Sequence, residues 1–447
     1  MRQLFGTAGI RGSILTKVTP ELAVDLGLAM SKQMGHGSKV AIGHDGRTSS
    51  RMLEEAVVSG VLSGGCMALR LGLVPTPVLS YITCSSRCGS GVMVTASHNP
   101  PHDNGLKCYD SLGMEYTIER EKILEETILS KDFILVSWER VGSSIAERES
   151  VHKYISAILN RVPRLRNHLR VLVDCSNGPA SLVGPPALQG LGAEVFTVNA
   201  QCDGHFPGRQ PEPTPENLAE TCRLVREGDF DVGFAYDGDA DRLSVIGKWG
   251  DLVSNDRIIA VFAREILERT GGGTIVTSID TSRCIDEVAE ALGGSVERTR
   301  LGGTQQHARS RAALLAAEPW KIIDPSWGLW QDGIFASARI LEFMDLRCGR
   351  LDDLLEGIAD YPQMRMSIPV SAGSSHEALG RFSRGVVSLS NIKDVWMFDG
   401  VRVNFHDGAW LLVRASGTEP KIRIYAEARS HEKVEKLVDF AINLLRA

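Results

Sequence analysis

Lys39-Val40-Ala41-Ile42-Gly43, running into His44-Asp45-Gly46-Arg47, decides the fold of this chain. An apolar run of strand length enters a tight polar turn, and a helix begins at about Ser50. The unit recurs. Val171-Leu172-Val173-Asp174 passes through Cys175-Ser176-Asn177-Gly178-Pro179 into a second helix. Gly273-Thr274-Ile275-Val276-Thr277 passes through Ser278-Ile279-Asp280-Thr281-Ser282 into a third, running through Val288. Strands alternating with helices are the signature of α/β layers. Each opening aims loop amides and a helix N-terminus at whatever sits above the sheet. Three openings predict three α/β domains of similar build, over 1–150, 151–254 and 255–361.

The end of the chain reads differently. Val401-Arg402-Val403-Asn404-Phe405 and Ala409-Trp410-Leu411-Leu412-Val413-Arg414 form a predicted hairpin turning at His406-Asp407-Gly408. Lys421-Ile422-Arg423-Ile424-Tyr425-Ala426-Glu427 alternates apolar and polar residues like a half-buried strand. A helix from about Glu432 to Leu445 follows, so residues 362–447 are expected to be a smaller α+β domain.

Bulk properties agree with several domains. A chain of 447 residues is too long for one core. Its 43% hydrophobic and 23% charged residues describe an ordinary globular protein, and a net charge of −6 argues against a general nucleic-acid binder. No apolar run approaches the roughly 18 residues of a membrane span, and no signal peptide is evident. Nine cysteines are scattered without a Cys-x-x-Cys pair, which predicts reduced structural thiols and a cytoplasmic protein.

The chemistry concentrates in four stretches. Gly91-Val92-Met93-Val94 reads as a buried strand that delivers Thr95-Ala96-Ser97-His98-Asn99-Pro100, with Ser97 open on its loop. A serine hydroxyl is a weak nucleophile until a base, a cation or a metal assists it. Lys107 lies beyond a predicted turn at His102-Asp103-Asn104-Gly105. Like charge and desolvation beside a metal-phosphate centre would lower its pKa and make it a usable acid/base. His98 competes for proton transfer, and a structural role fits it equally. After the strand Val232-Gly233-Phe234-Ala235 come Asp237, Asp239 and Asp241, interleaved with Gly238 and Ala240 and followed by Arg242. The small residues let three carboxylates converge on one hard cation, and Mg²⁺ fits because it accepts a few carboxylates plus phosphate oxygens.

Arg414-Ala415-Ser416-Gly417-Thr418-Glu419-Pro420, with Arg423 beyond, suits a phosphate: guanidiniums give charge-assisted pairs and loop amides give the rest. Near the start, Phe5-Gly6-Thr7-Ala8-Gly9-Ile10-Arg11-Gly12 offers Arg11 as a further clamp. Arg47 is placed to support the serine loop or to make a structural ion pair.

These motifs, in this order, resemble the α-D-phosphohexomutase superfamily of phosphoglucomutases, phosphomannomutases and phosphoglucosamine mutases. The resemblance spans essentially the whole chain, and the phosphate loop is most similar to that of phosphoglucosamine mutases and their archaeal relatives. It implies four domains around a central cleft, the last a mobile lid. It implies that Ser97 is the phosphoserine and that its phosphate holds Mg²⁺ together with Asp237, Asp239 and Asp241. Lys107 would be the acid/base, with Arg11, His98 and Arg242 around the transferred group. Arg414, Ser416, Gly417, Thr418 and Arg423 would hold the non-reacting phosphate. The implied reaction is intramolecular phosphotransfer between a sugar 6-phosphate and a sugar 1-phosphate, through a sugar bisphosphate that also acts as activator. The expected partners are small phosphosugars, without nucleic acid or membrane, in a monomer or homodimer.

One stretch departs from the family pattern. The sugar loop, usually Gly-Glu-x-Ser-Gly-His, is here Ala316-Ala317-Glu318-Pro319-Trp320-Lys321. Glu318 remains to accept bonds from sugar hydroxyls, while Trp320 and Lys321 add bulk and charge. Upstream, Gly303 stands where relatives more often carry an acidic residue. Trp327 and Trp330 are expected as core or wall residues. Glucosamine phosphate is the expected sugar, with mannose or glucose phosphate next and a phosphopentose also open. A phosphoserine-based phosphatase is the alternative enzyme class.

Overall fold

The computed structural model describes residues 4–6, 9–347, 349–371, 375–416 and 421–446. In the first repeat, strand Lys39–His44 is buried at its four central residues. It pairs in parallel with Met67–Leu73 on one side and Ser90–Val94 on the other. The six-stranded sheet runs Ile10–Ser13, Asp103–Asp110, Ser90–Val94, Lys39–His44, Met67–Leu73, Ser144–Ala146, and its first two members join antiparallel.

Helix Pro20–Met34 starts where Thr19 accepts Leu22 N and a proline occupies the first turn. It packs on helix Ser50–Ser63 at two glycines. A Cβ on Gly60 would lie 2.1 Å from the Val24 carbonyl oxygen, and one on Gly27 would lie 2.5 Å from that of Val57. Only glycine permits this approach, which closes the core around Leu26, Met30, Ile42, Leu53, Val57 and Val92.

One local expectation is corrected here. The turn foreseen at 102–105 ends at His102, and Asp103–Asp110 is a strand against Ser90–Val94. Gly105 serves close approach rather than a turn: a Cβ there would meet the Thr95 carbonyl oxygen at 2.4 Å.

The second sheet runs Leu243–Gly247, Val232–Tyr236, Arg170–Asp174, Glu194–Val198. Strands Val232–Tyr236 and Leu243–Gly247 are antiparallel and buried throughout. The Asp237–Arg242 stretch is therefore the connection of a buried hairpin. In the third repeat, Gly273–Ser278 pairs in parallel with Gly294–Thr299 and with Leu315–Glu318. The C-terminal sheet is antiparallel and five-stranded, in the order Gln363–Pro369, Lys421–Glu427, Trp410–Ala415, Val401–Phe405, Ile392–Trp396. Helices Ser375–Gly385 and His431–Arg446 cover its core. Three α/β sheets and one antiparallel sheet are the architecture read from the repeated openings and the hairpin.

By packing, the chain divides into two units. One comprises Met1–Asn255 with Trp320–Glu356, and the other Asp256–Pro319 with Gly357–Ala447. The eight cysteines among the described residues are all free. No described helix is long and apolar enough to cross a membrane.

Candidate active site

The serine loop is built from the first repeat. Asp45, at the end of strand Lys39–His44, accepts from Thr95 Oγ1 (2.7 Å), Ser50 Oγ (2.6 Å) and Arg47 Nε (3.1 Å). Thr95 Oγ1 in turn accepts from Ser97 N at 2.8 Å. Arg47 then spends its remaining donors on loop carbonyls: Pro100 (2.6 Å) and Asp103 (2.9 Å) through Nη1, Ser97 (2.9 Å) and Asn99 (2.7 Å) through Nη2. Of the two roles open to Arg47, the structure assigns both. The clamp holds Ser97 at φ +53, a left-handed conformation that costs a serine roughly 1 kcal/mol.

Ser97 Oγ donates to Asp237 Oδ2 at 2.6 Å and lies 3.2 Å from His98 Nδ1. His98 Nε2 lies 3.5 Å from Arg242 Nη2. Arginine can only donate, so Nε2 accepts, Nδ1 carries the proton and His98 donates to Ser97 Oγ. Burial, then the positive charges of Arg242 and Arg11, hold the imidazole neutral, far below its usual pKa. In that tautomer His98 faces the serine oxygen with its Nδ1 proton.

The three aspartates converge. Asp237, Asp239 and Asp241 are fully buried, with one carboxylate oxygen from each within 4.8 Å of the others. Lys107 Nζ reaches Asp239 Oδ2 (2.8 Å) and Asp241 Oδ2 (2.9 Å), and Thr76 Oγ1 donates to Asp239 Oδ2 at 2.8 Å. Lys321 Nζ lies 3.3 Å from Asp241 Oδ2 and 2.6 Å from Gln331 Oε1. Asp239 Oδ1 and Asp241 Oδ1 are buried without a hydrogen-bond partner among the described residues. Two such carboxylate oxygens in a buried site are costly unless something cationic meets them. The donor set, all hard oxygen, fits Mg²⁺.

Charge is distributed unevenly over the trio. Burial, then the neighbouring Asp239 and Asp241, push Asp237 well above the usual carboxylate range. Burial also opposes ionisation of Asp239 and Asp241, but Lys107 beside both, with Lys321 and Arg242 near the latter, holds them below that range. The lowering expected of Lys107 belongs to a metal-phosphate neighbour; beside the carboxylates alone the shift runs upward. Burial disfavours its ammonium, yet Asp239 and Asp241 outweigh burial and hold it well above the usual lysine value. Arg11 stands opposite Gly105 in the sheet, and its charge acts on His98, Lys107 and Asp239. Arg242 also pairs with Glu212 at 3.4 Å and lies 5.8 Å from the Trp320 ring.

The other unit holds the remaining candidates. Glu318 Oε1 accepts from Gly302 N (2.7 Å) and Thr304 Oγ1 (2.9 Å), so it shapes the turn that carries Gly303. Asp399 accepts from Leu301 N (3.0 Å) of the same turn and from Arg414 Nη2 (3.3 Å). The turn therefore links Glu318 to Arg414. Arg414 faces Arg423 directly across two antiparallel strands. Ser416 closes onto the Lys421 carbonyl at 2.9 Å, and its buried hydroxyl has no partner among the described residues. Gly417 and Thr418 lie outside the described residues. Like charges facing each other in a sheet repel, and a phosphate between them would reverse the sign.

Profiles of the phosphoglucomutase/phosphomannomutase family match almost the whole chain in sequence. Its α/β/α domain I matches residues 2–135, domain II 152–250, domain III 254–361 and the C-terminal domain 381–444. The chain is a member of the α-D-phosphohexomutase superfamily. A phosphopentomutase from Thermococcus kodakarensis is 42% identical over 441 residues, covering 98% of this chain and 97% of the relative. A probable phosphoglucosamine mutase from Methanothermobacter thermautotrophicus is 39% identical, covering 96% and 95%. The crystal structure of a phosphoglucomutase/phosphomannomutase family protein from Burkholderia thailandensis superposes with a TM-score of 0.90 at 27% identity, covering 100% and 97%.

For this phosphohexomutase family member, one unit joins Ser97, His98, Lys107, Arg242 and the three aspartates, with Arg11 on the adjoining strand. The other links Glu318 with Arg414 and its neighbours. Four further residues emerge only in three dimensions. Thr76 anchors Asp239; Lys321, tethered by Gln331, braces Asp241; Asp45 organises the serine loop. Each is a buried polar side chain, and a polar residue beside an apolar strand was the one available signal. Trp327 and Trp330 are wall residues as expected: both donate to Asp332 Oδ2, and Trp327 stacks on Phe335 at 4.5 Å.

Proposed function

We propose that this mutase carries a phosphoryl group on Ser97 and moves it between the two ends of a sugar phosphate. The observation that carries the reading is Ser97 Oγ held 2.6 Å from Asp237 Oδ2, beside the buried aspartate trio. Mg²⁺ would be held by Asp237, Asp239, Asp241 and the serine phosphate. When bound it neutralises phosphate charge and orients the phosphoserine. The chain's own residues do the rest. The Arg47 clamp fixes the loop, His98 donates to the serine oxygen, and Arg11 and Arg242 meet the equatorial oxygens of the transferring group. Lys107 would be the acid/base, taking the proton of the attacking sugar hydroxyl as the amine and giving one to the leaving oxygen as the ammonium. Residues 1–150, 151–254, 255–361 and 362–447 would supply the serine, the metal loop, the sugar turn and the phosphate loop. Glu318 would meet sugar hydroxyls, while Arg414, Ser416, Gly417, Thr418 and Arg423 would hold the phosphate at rest. A sugar bisphosphate would be the intermediate, re-seated with its ends exchanged.

Ser97→Ala is expected to abolish turnover while sugar-phosphate binding, measured calorimetrically, persists; near-normal turnover would end the assignment. On the sugar, the relatives named phosphoglucosamine mutase favour a glucosamine phosphate. A second reading, a pentose phosphate, draws on Trp320, whose ring fills space over Arg242 where the family pattern has a small serine. The phosphopentomutase from T. kodakarensis is consistent with it. Turnover of glucosamine, glucose, mannose and ribose 1-phosphates with a bisphosphate present decides between them, at a preference of about tenfold or more.

A further inference from the structure

The transfer reaction gives no role to Lys321, a buried lysine beside the metal loop. Its ammonium is tethered by Gln331 at 2.6 Å and touches Asp241 Oδ2 at 3.3 Å. Lys107 sits on that same oxygen and on Asp239 Oδ2, where Thr76 also donates. Donors from three separate elements thus converge on the Oδ2 atoms of two carboxylates. The Oδ1 atoms of both are buried and meet no hydrogen-bond partner among the described residues. One oxygen of each carboxylate is thus taken by protein donors and the other is not.

We propose that Thr76, Lys107 and Lys321 form a ligation filter that restricts Asp239 and Asp241 to one oxygen each and so selects Mg²⁺ over Ca²⁺. Mg²⁺ is small and takes a near-octahedral set in which each carboxylate gives one oxygen. Ca²⁺ gathers six to eight oxygens and commonly takes both from one carboxylate. A two-oxygen bite on Asp241 requires its Oδ2, from which two ammonium groups would have to be displaced. Lys107 belongs to the reaction constellation, whereas the polar contacts of Lys321 among the described residues are this one and its tether. Lys321 is therefore a positioning residue, and the filter can be weakened there. The inference rests on the aspartate trio being the metal site.

Isothermal titration of the full-length, phosphatase-treated protein with Mg²⁺ and with Ca²⁺, at fixed ionic strength, tests it. Removing one positive charge strengthens binding of both ions, so the ratio of the two affinities is the readout. Lys321→Met should shift that ratio toward Ca²⁺ by about tenfold or more, and Lys321→Arg should hold it near the wild-type value. An unchanged ratio in Lys321→Met that melts like wild type overturns the filter. Should that variant not fold, Gln331→Leu releases the tether and is read the same way. Asp239→Asn separates the two ideas. If it binds both ions as wild type does, or if wild type binds neither, the metal site itself is misplaced.

Discussion

Arg47 shows how much one side chain can carry. It neutralises Asp45, and its guanidinium accounts for four carbonyls of the serine loop. Arg47→Ala would strand a buried carboxylate as well as those carbonyls. A loss of about 3–5 kcal/mol is expected, read as an earlier urea transition of the unit that holds the serine loop, with the other unit's transition unchanged. Arg47→Lys restores the charge but not the planar fork, so it should recover only part of the stability. At the same scale, Ser97 illustrates strain kept for use. Its left-handed backbone turns the hydroxyl toward Asp237, and the clamp behind it keeps the loop from relaxing.

Between elements, the decisive contact joins the serine loop to the hairpin of aspartates. Gly238 abuts the Ser97 carbonyl oxygen so closely that a Cβ would stand 2.4 Å away. Gly238→Ala must therefore part the two loops. Turnover is expected to fall by about 100-fold while far-UV circular dichroism stays native; wild-type turnover would show that the loops tolerate separation. The elements were largely legible beforehand. Lys39–His44, Gly273–Ser278 and the Val401–Phe405 hairpin announce themselves through apolar runs ended by polar or glycine turns. The converging side chains were legible in part. Asp237, Asp239 and Asp241 sit on adjacent odd positions, whereas Thr76 and Asp239 are 163 residues apart, and no local pattern joins them. Lys321 was read only as added bulk and charge, because its partners Asp241 and Gln331 belong to other segments. The carboxylate partners of Lys107 were hidden for the same reason: Asp239 and Asp241 outweigh burial, and spacing alone does not reveal them.

The whole molecule consists of two packed units, and the chain passes between them after Asn255, Pro319 and Glu356. Each has its own core, one around Leu26, Ile42 and Val92, the other around Phe382, Val403, Ile424 and Leu437. Separate cores predict that thermal unfolding is not two-state. The calorimetric enthalpy should exceed the van't Hoff enthalpy, and equality of the two would show that the units melt as one. The Arg414–Arg423 pair adds a consequence for the second unit. Arg414 is tied to Asp399, and a dianion held by both guanidiniums, as proposed for the sugar phosphate, would stitch the two strands together as well. Cargo and fold would then tighten together, and that corner of the sheet would be loosest at the moment it has let a sugar phosphate go.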